Sequence, residues 1–149
     1  MTTSNKPSSD EVELRAVIDA WANALRTKDV EGVFAQHAPA LVQFALAPPL
    51  RNAGATALDR KFYEKWFASF VGPIGYEICD LEITASDSVA FSHSLNRITG
   101  TNGDGKTGSM WFRATLGFRK IAGAWKIAHE HESVPFHMDS GKAANDLQP

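Results

Sequence analysis

Residues 89–134 read VAFSHSLNRITGTNGDGKTGSMWFRATLGFRKIAGAWKIAHEHESV, and this stretch decides the fold. Two long segments, Val89–Thr101 and Thr107–Ile121, flank Asn102-Gly103-Asp104-Gly105. Asn, Asp and Gly tolerate positive φ, so the tetrapeptide reads as a hairpin turn and its flanks as antiparallel strands. Ala122-Gly123 turns the chain into a third strand, Ala124–Val134, and Pro135 ends that pairing because it has no N–H to give. Upstream, Tyr76–Thr84 alternates in the same way and joins the meander through a turn at Asp87. Strands of this length must twist and coil.

Before the meander the period changes from two to about 3.6. Leu14, Val17, Ile18, Trp21 and Leu25 fall on one face of a helix over about Asp10–Thr27, with Ser8 and Glu11 at capping-box spacing. Asp10, Glu11 and Glu13 suit its positive start, and Arg26 and Lys28 its end. Asp29 caps a short helix over Val30–His37, which Pro39 stops. Leu41–Leu46 is a short strand, and Pro48-Pro49 and Gly54 mark a loop. A third helix over about Ala57–Phe70 carries Leu58, Phe62, Trp66 and Phe70 as a buried stripe, leaves Tyr63 at its rim, and ends at Gly72-Pro73. Helices followed by an antiparallel meander make an α+β chain. Three N-terminal helices packed on a strongly curved, mostly antiparallel sheet would form a cone with an internal pocket.

Composition narrows the function. With 149 residues the chain is about one domain, large enough to bury a core without a staple. Residues 1–9 read as a tail, 10–138 as the domain and 139–149 as a second tail. A net charge of −2 and a pI near 6.2 argue against a nucleic-acid partner. No run approaches the ~20 apolar residues of a membrane span, and the polar first ten residues lack the apolar core of a signal peptide. The lone Cys79 cannot form an internal disulfide, and a reducing cytoplasm suits it.

Several motifs share one likeness. Trp125-Lys126-Ile127-Ala128-His129-Glu130-His131-Glu132-Ser133-Val134-Pro135 resembles the W-x-I-x-H-x-H-x-S-x-P ending of the SnoaL-like, ketosteroid-isomerase-homologue branch of the NTF2-like superfamily. Pro48-Pro49-Leu50, Trp66-Phe67, Gly72-Pro73-Ile74 and Trp111-Phe112-Arg113-Ala114-Thr115 resemble the same branch. The association domain of calcium/calmodulin-dependent kinase II is a relative with a similar H-x-H-x-S ending. The resemblance covers about Glu11–Met138 and implies the cone-shaped fold and a homodimer through the outer sheet face. It does not imply one reaction, because the fold hosts isomerases, dehydratases, cyclases, binding modules and assembly domains. Steroid isomerisation needs a carboxylate base and an oxyanion hole made by a Tyr and a protonated Asp. That trio has no place here: Trp21 stands where a phenol is wanted, and Asp29, Asp80, Asp87 and Asp104 sit at caps, turns or strand edges.

Alternation sorts the candidate site residues. Trp125, Ile127, His129, His131 and Ser133 share a face, and Trp and Ile on it point to the core, so His129 and His131 are expected to enter the pocket as acid and base. The alternative is that they are hydrogen-bonded residues that shape it. A β-bulge would exchange the faces beyond it, and by resemblance to the kinase domain the glutamate side can then approach the pocket. On the middle strands His93 and Arg97, and Trp111 and Arg113, share the corresponding faces. An Arg among apolar residues pairs with a carboxylate or faces an anionic ligand; by resemblance Arg97 matches a pocket arginine. Trp21 and Trp66 are either core or ligand platform. H-x-H on a strand can bind zinc, but no third ligand is evident, so no metal or cofactor is assigned.

These readings favour a cofactor-independent isomerase, cyclase or dehydratase acting on a small carbonyl compound, with His129 or His131 moving the proton. The alternatives are a non-catalytic module that binds an apolar or anionic small molecule, and a dimeric assembly domain. In the last, Ser92, Ser94, Asn96 and Ile98 with Met110, Phe112, Ala114 and Leu116 form the outer face.

Overall fold

The computed structural model describes residues 6–149, and residues 1–5 of the expected N-terminal tail lie outside the described residues. Helix α1 runs over Ser9–Arg26, and the Ser8 side chain accepts from the Glu11 N–H at its start. It buries Leu14, Ile18, Trp21, Ala22 and Leu25 against the sheet. Asp29 caps α2 (Val30–Ala35) by accepting from the Gly32 N–H. The helix stops before His37, which already opens strand β1 (His37–Phe44). A two-residue strand β2 (Asn52–Ala53) and a 3-10 turn lead to α3 (Arg60–Ala68), capped by Asp59. Strands β3 (Gly75–Ala85), β4 (Val89–Thr101), β5 (Thr107–Ile121) and β6 (Ala124–Ser133) follow.

The six strands form one sheet in the order β2-β1-β6-β5-β4-β3. All neighbours are antiparallel except β1 and β6, which run parallel. The sheet curls around α1 without closing, so the class is the α+β architecture expected. Polar contacts pin both ends of α1. Asp10 accepts from Lys120 Nζ (2.8 Å) and Trp125 Nε1 (3.0 Å) at one end. At the other, Arg26 Nε donates to the Tyr76 carbonyl (2.9 Å) and Lys28 Nζ to the Phe70 carbonyl (2.6 Å). After β6 the chain turns back: Ala144 N donates to the Pro135 carbonyl (2.7 Å) and Ala144 is buried, so part of the expected C-terminal tail packs on the domain.

Two expectations about faces change. On α3 the buried residues are Tyr63 and Phe67, while Phe62 is 57% exposed. Leu58, Trp66 and Phe70 of the expected stripe pack against the core, but Phe62 turns away from it and Tyr63 belongs to the core rather than the rim. On the sheet, the faces of β4 and β5 are the reverse of those expected. Ser92, Asn96, Phe112, Ala114 and Leu116 are buried inside, and their cross-strand pairings Ser92↔Leu116 and Asn96↔Phe112 hold the two rows together. The physical reason lies in β5. Met110, Phe112, Ala114, Leu116 and Phe118 form an unbroken apolar row, whereas the other row contains Arg113 and Arg119. Burying the first removes apolar surface from water without stripping two guanidinium groups of theirs.

Candidate functional site

The site follows from one extra residue in β6. Gly117 of β5 pairs with His129, but its neighbour Phe118 pairs with Ile127, so Ala128 is bulged out of the ladder. Before the bulge Trp125 and Ile127 face inward; beyond it Glu130 and Glu132 do, and His129, His131 and Ser133 turn outward. Gly117 makes room at this point, since a Cβ there would come within 3.2 Å of the His129 Cβ.

Parallel pairing with β1 sets Gln43 beside Glu130. Gln43 Nε2 donates to Glu130 Oε2 (2.7 Å), and the other carboxylate oxygen accepts from His37 Nε2. His37 Nδ1 donates to the Val33 carbonyl (2.7 Å), so both ring nitrogens carry protons and the imidazolium faces a carboxylate. His37 and Glu130 are both buried. Burial alone would lower the His37 pKa, but the Glu130 charge and the two hydrogen bonds outweigh it and the net shift is upward. Burial would likewise raise Glu130, yet the His37 charge and the bonds from His37 and Gln43 bring it below the carboxylate range.

Glu132, one inward position further, has the opposite fate. Burial and then the charge of Glu130 push its carboxyl up to about 8, and among the described residues no hydrogen bond offsets them. It is therefore a carboxylic acid near neutral pH. Two phenols complete the interior cluster. Tyr76 accepts from Asn96 Nδ2 (3.0 Å), whose amide oxygen accepts from Ser94 Oγ (2.7 Å). Tyr63 lies beside Gln43. Burial, and behind it the fields of Glu130 and Glu132, raises both phenols, so they stay protonated donors. An open cleft of about 730 Å³ reaches Glu132 from outside, walled by Phe44–Arg51 with His131 at its lip.

The residues expected to line the pocket take other positions. His129 and His131 lie on the outer face, both edge-on to the Phe44 ring at 4.9 and 5.4 Å between centroids. His129 Nδ1 donates to the Val42 carbonyl (2.7 Å), which occupies it structurally, whereas His131 borders the cleft. Arg97 pairs with Glu77 and lies over the Trp111 ring. Arg113 Nε donates to Ser133 Oγ (3.1 Å), and His93 sits 3.7 Å from Glu82. All three, with Trp111, are gathered on the outer face, because the face assignment of β4 and β5 is reversed. Trp21 is inside, edge-on to Tyr76, and Trp66 is partly buried among Tyr63, Phe67 and Phe70. Among the described residues no group of three or more His, Cys, Asp or Glu is placed to hold a metal ion.

Unbroken alternation from Trp125 onward points to the histidines, whereas the bulged alternative leads to Glu130 and Glu132, and Gly117 is the residue of β5 that leaves space opposite the bulge. His37 was hidden for a different reason, since its partner is 93 positions away.

A curled sheet wrapped on a long helix is the fold this chain shares with a solved NTF2-like protein. Residues 14–137 match the model of the SnoaL-like domain, and the chain belongs to that family. No curated protein matches the sequence. Among solved structures, an NTF2-like protein of unknown function from Pseudomonas putida KT2440 is 33% identical, with TM-score 0.84 over 96% of this chain and 99% of that one. A protein assigned by name to the dehydratases of the NTF2-like family, from Streptomyces avermitilis, is 18% identical with TM-score 0.75 over 86% and 97%. A protein from Xanthomonas campestris named for the calcium/calmodulin-dependent kinase II association domain is 20% identical, with TM-score 0.72 over 99% of each chain. The last two likenesses are of fold.

Proposed function

We propose that the chain is a cofactor-independent isomerase, cyclase or dehydratase for a small carbonyl compound, and that Glu132 moves the proton. The observation that carries this reading is a cleft ending at a carboxyl whose pKa is about 8. A group that titrates near the working pH is available both as acid and as base, the condition for efficient general acid–base catalysis. As an acid, Glu132 gives its proton to a carbonyl oxygen or a departing hydroxyl; as a carboxylate, it takes one from the carbon next to the carbonyl. Glu130 has the complementary task. Held as an anion by His37 and Gln43, it keeps Glu132 protonated, so that environment divides two carboxyls into two roles. His131 at the cleft lip is the second candidate for proton transfer, in place of the pair His129 and His131.

Exchange of carbonyl α-protons in D2O, followed by NMR over a panel of cyclic enones and β-hydroxy ketones, tests the reading. The wild-type protein is expected to catalyse exchange for at least one class, and Glu132→Gln to slow it by roughly 100-fold or more. Binding without exchange in the wild-type protein selects the alternative, a non-catalytic small-molecule module, which the openness of the cleft favours. Exchange that survives Glu132→Gln sinks the assignment of the proton to this residue. We also infer a homodimer through the outer sheet face. Among the described residues no helix covers it, and it presents the 48% exposed Phe91 on the same strand as Arg97, which stacks on Trp111.

A further inference from the structure

The wall of the cleft is one continuous segment. Phe44 closes β1, and Ala45-Leu46-Ala47-Pro48-Pro49-Leu50 then runs apolar round the opening to Arg51. The polar side chains that line the cleft are those of Arg51, His131 and Glu132. Arg15, Arg60 and Arg97 each pair with a glutamate. Arg51 enters no ion pair among the described residues and stands exposed at the end of the apolar wall. The cleft thus has a cation with no partner, an apolar stretch, and a carboxyl reached from its inner side.

We infer that this cleft takes an amphipathic monoanion: a ring-sized apolar skeleton with a carboxylate held by Arg51 and a carbonyl oxygen directed at Glu132. This rests on the proposed function only in taking the cleft as the substrate site. A neutral ligand leaves the guanidinium without a partner, and a cationic one is repelled by it. A ligand with its charge at the reacting end would meet the anion of Glu130. Separation of the charge from the carbonyl satisfies both ends. Planar, bidentate recognition of a carboxylate is what a guanidinium supplies and an ammonium does not.

The test uses three naphthalene probes of like size: 2-naphthoate, neutral 2-acetylnaphthalene and 2-naphthylmethylammonium, titrated by calorimetry against the full chain. The naphthoate is expected to bind about tenfold more tightly than the neutral ketone, which corresponds to about 1.4 kcal/mol, and the cation more weakly than either. Arg51→Gln should remove that preference and leave 2-acetylnaphthalene unchanged, while Arg51→Lys keeps part of it. Naphthoate binding should also weaken between pH 7 and pH 9 as Glu132 ionises. Arg51 lies on an exposed loop, so circular dichroism of both variants should match the wild-type protein. Equal affinity for the naphthoate and the ketone, or a naphthoate affinity indifferent to Arg51→Gln, overturns the inference. Loss of α-proton exchange with the charge preference intact overturns the catalytic reading alone. Exchange on neutral carbonyl compounds without any charge preference overturns this one alone.

Discussion

Glu130 and Glu132 are two positions apart on one strand, face the same way, and ionise in opposite directions. The difference is made by partners. Glu130 receives His37 and Gln43, whereas Glu132 receives only burial and the charge of Glu130. Stability should therefore depend on pH in three ways. Glu130 is shifted down, so its contribution is present above the ordinary 4.5 and is lost as pH falls through its lowered value. His37 is shifted up, so its contribution is complete below 6.5 and is lost as pH rises through its raised value. Glu132 prefers its neutral form, so stability declines as pH rises from 4.5 to about 8. Glu132→Gln should remove that last decline: its urea midpoint should gain on the wild-type midpoint between pH 5 and pH 9. Parallel curves would mean that the Glu132 carboxyl is hydrated. His37→Ala leaves Glu130 as a buried charge short of its main partner, and urea unfolding at pH 6 should show a loss of about 3–5 kcal/mol. At this scale the sequence misleads, because nothing local distinguishes the two glutamates or ties His37 to a residue 93 positions on.

At the scale of elements, the turns and caps were legible and the strand faces were not. Ser8 and Asp29 cap the first two helices where expected, whereas α3 starts later than expected, capped by Asp59 from within the expected span. The hairpin at 102–105 closes with Gly105 N donating to the Asn102 carbonyl, and Gly105 has φ +82°. The tighter turn between β5 and β6 puts Ala122 at φ 50° and Gly123 at φ 81°. A Cβ in the left-handed region costs about 1–2 kcal/mol, so Ala122→Gly should raise the unfolding free energy by up to about 1 kcal/mol once the added chain entropy of glycine is deducted. Unchanged or reduced stability would show that Ala122 is not strained. Gly100 is the opposite case: a Cβ there would fall 2.2 Å from the Phe70 ring, which packs over the end of β4. Gly100→Ala should cost about 1–3 kcal/mol through displacement of that ring, and a neutral result would mean that Phe70 moves aside freely. The faces failed because alternation carries a strand's orientation only as far as its first irregularity. β4 offers Phe91 and Leu95 on one side and Ser92 and Asn96 on the other, so composition alone points the wrong way. The apolar row of β5 overrules it.

The whole molecule is a helix held in a curled sheet, with one sheet face filled by the core and the other uncovered. If two copies meet through the uncovered face, light scattering should return twice the 16.2 kDa of one chain. Thr115→Arg, an exposed change in the middle of that face, should then give the monomer without lowering the unfolding free energy of one chain by more than about 0.5 kcal/mol. A wild-type protein that is already monomeric removes the dimer. Among the described residues no helix is long and apolar enough to cross a membrane. Periodicity, capping and turn chemistry are local, so the chain's residues alone gave the class of fold and the main order of its elements, and the likeness of its motifs pointed to its family. Which face of the sheet is inside, and so which residues meet in the site, was decided only by tertiary structure. A single bulged residue, Ala128, exchanged two histidines for two glutamates, and the energy that fixed the choice is the burial of an apolar row on the neighbouring strand.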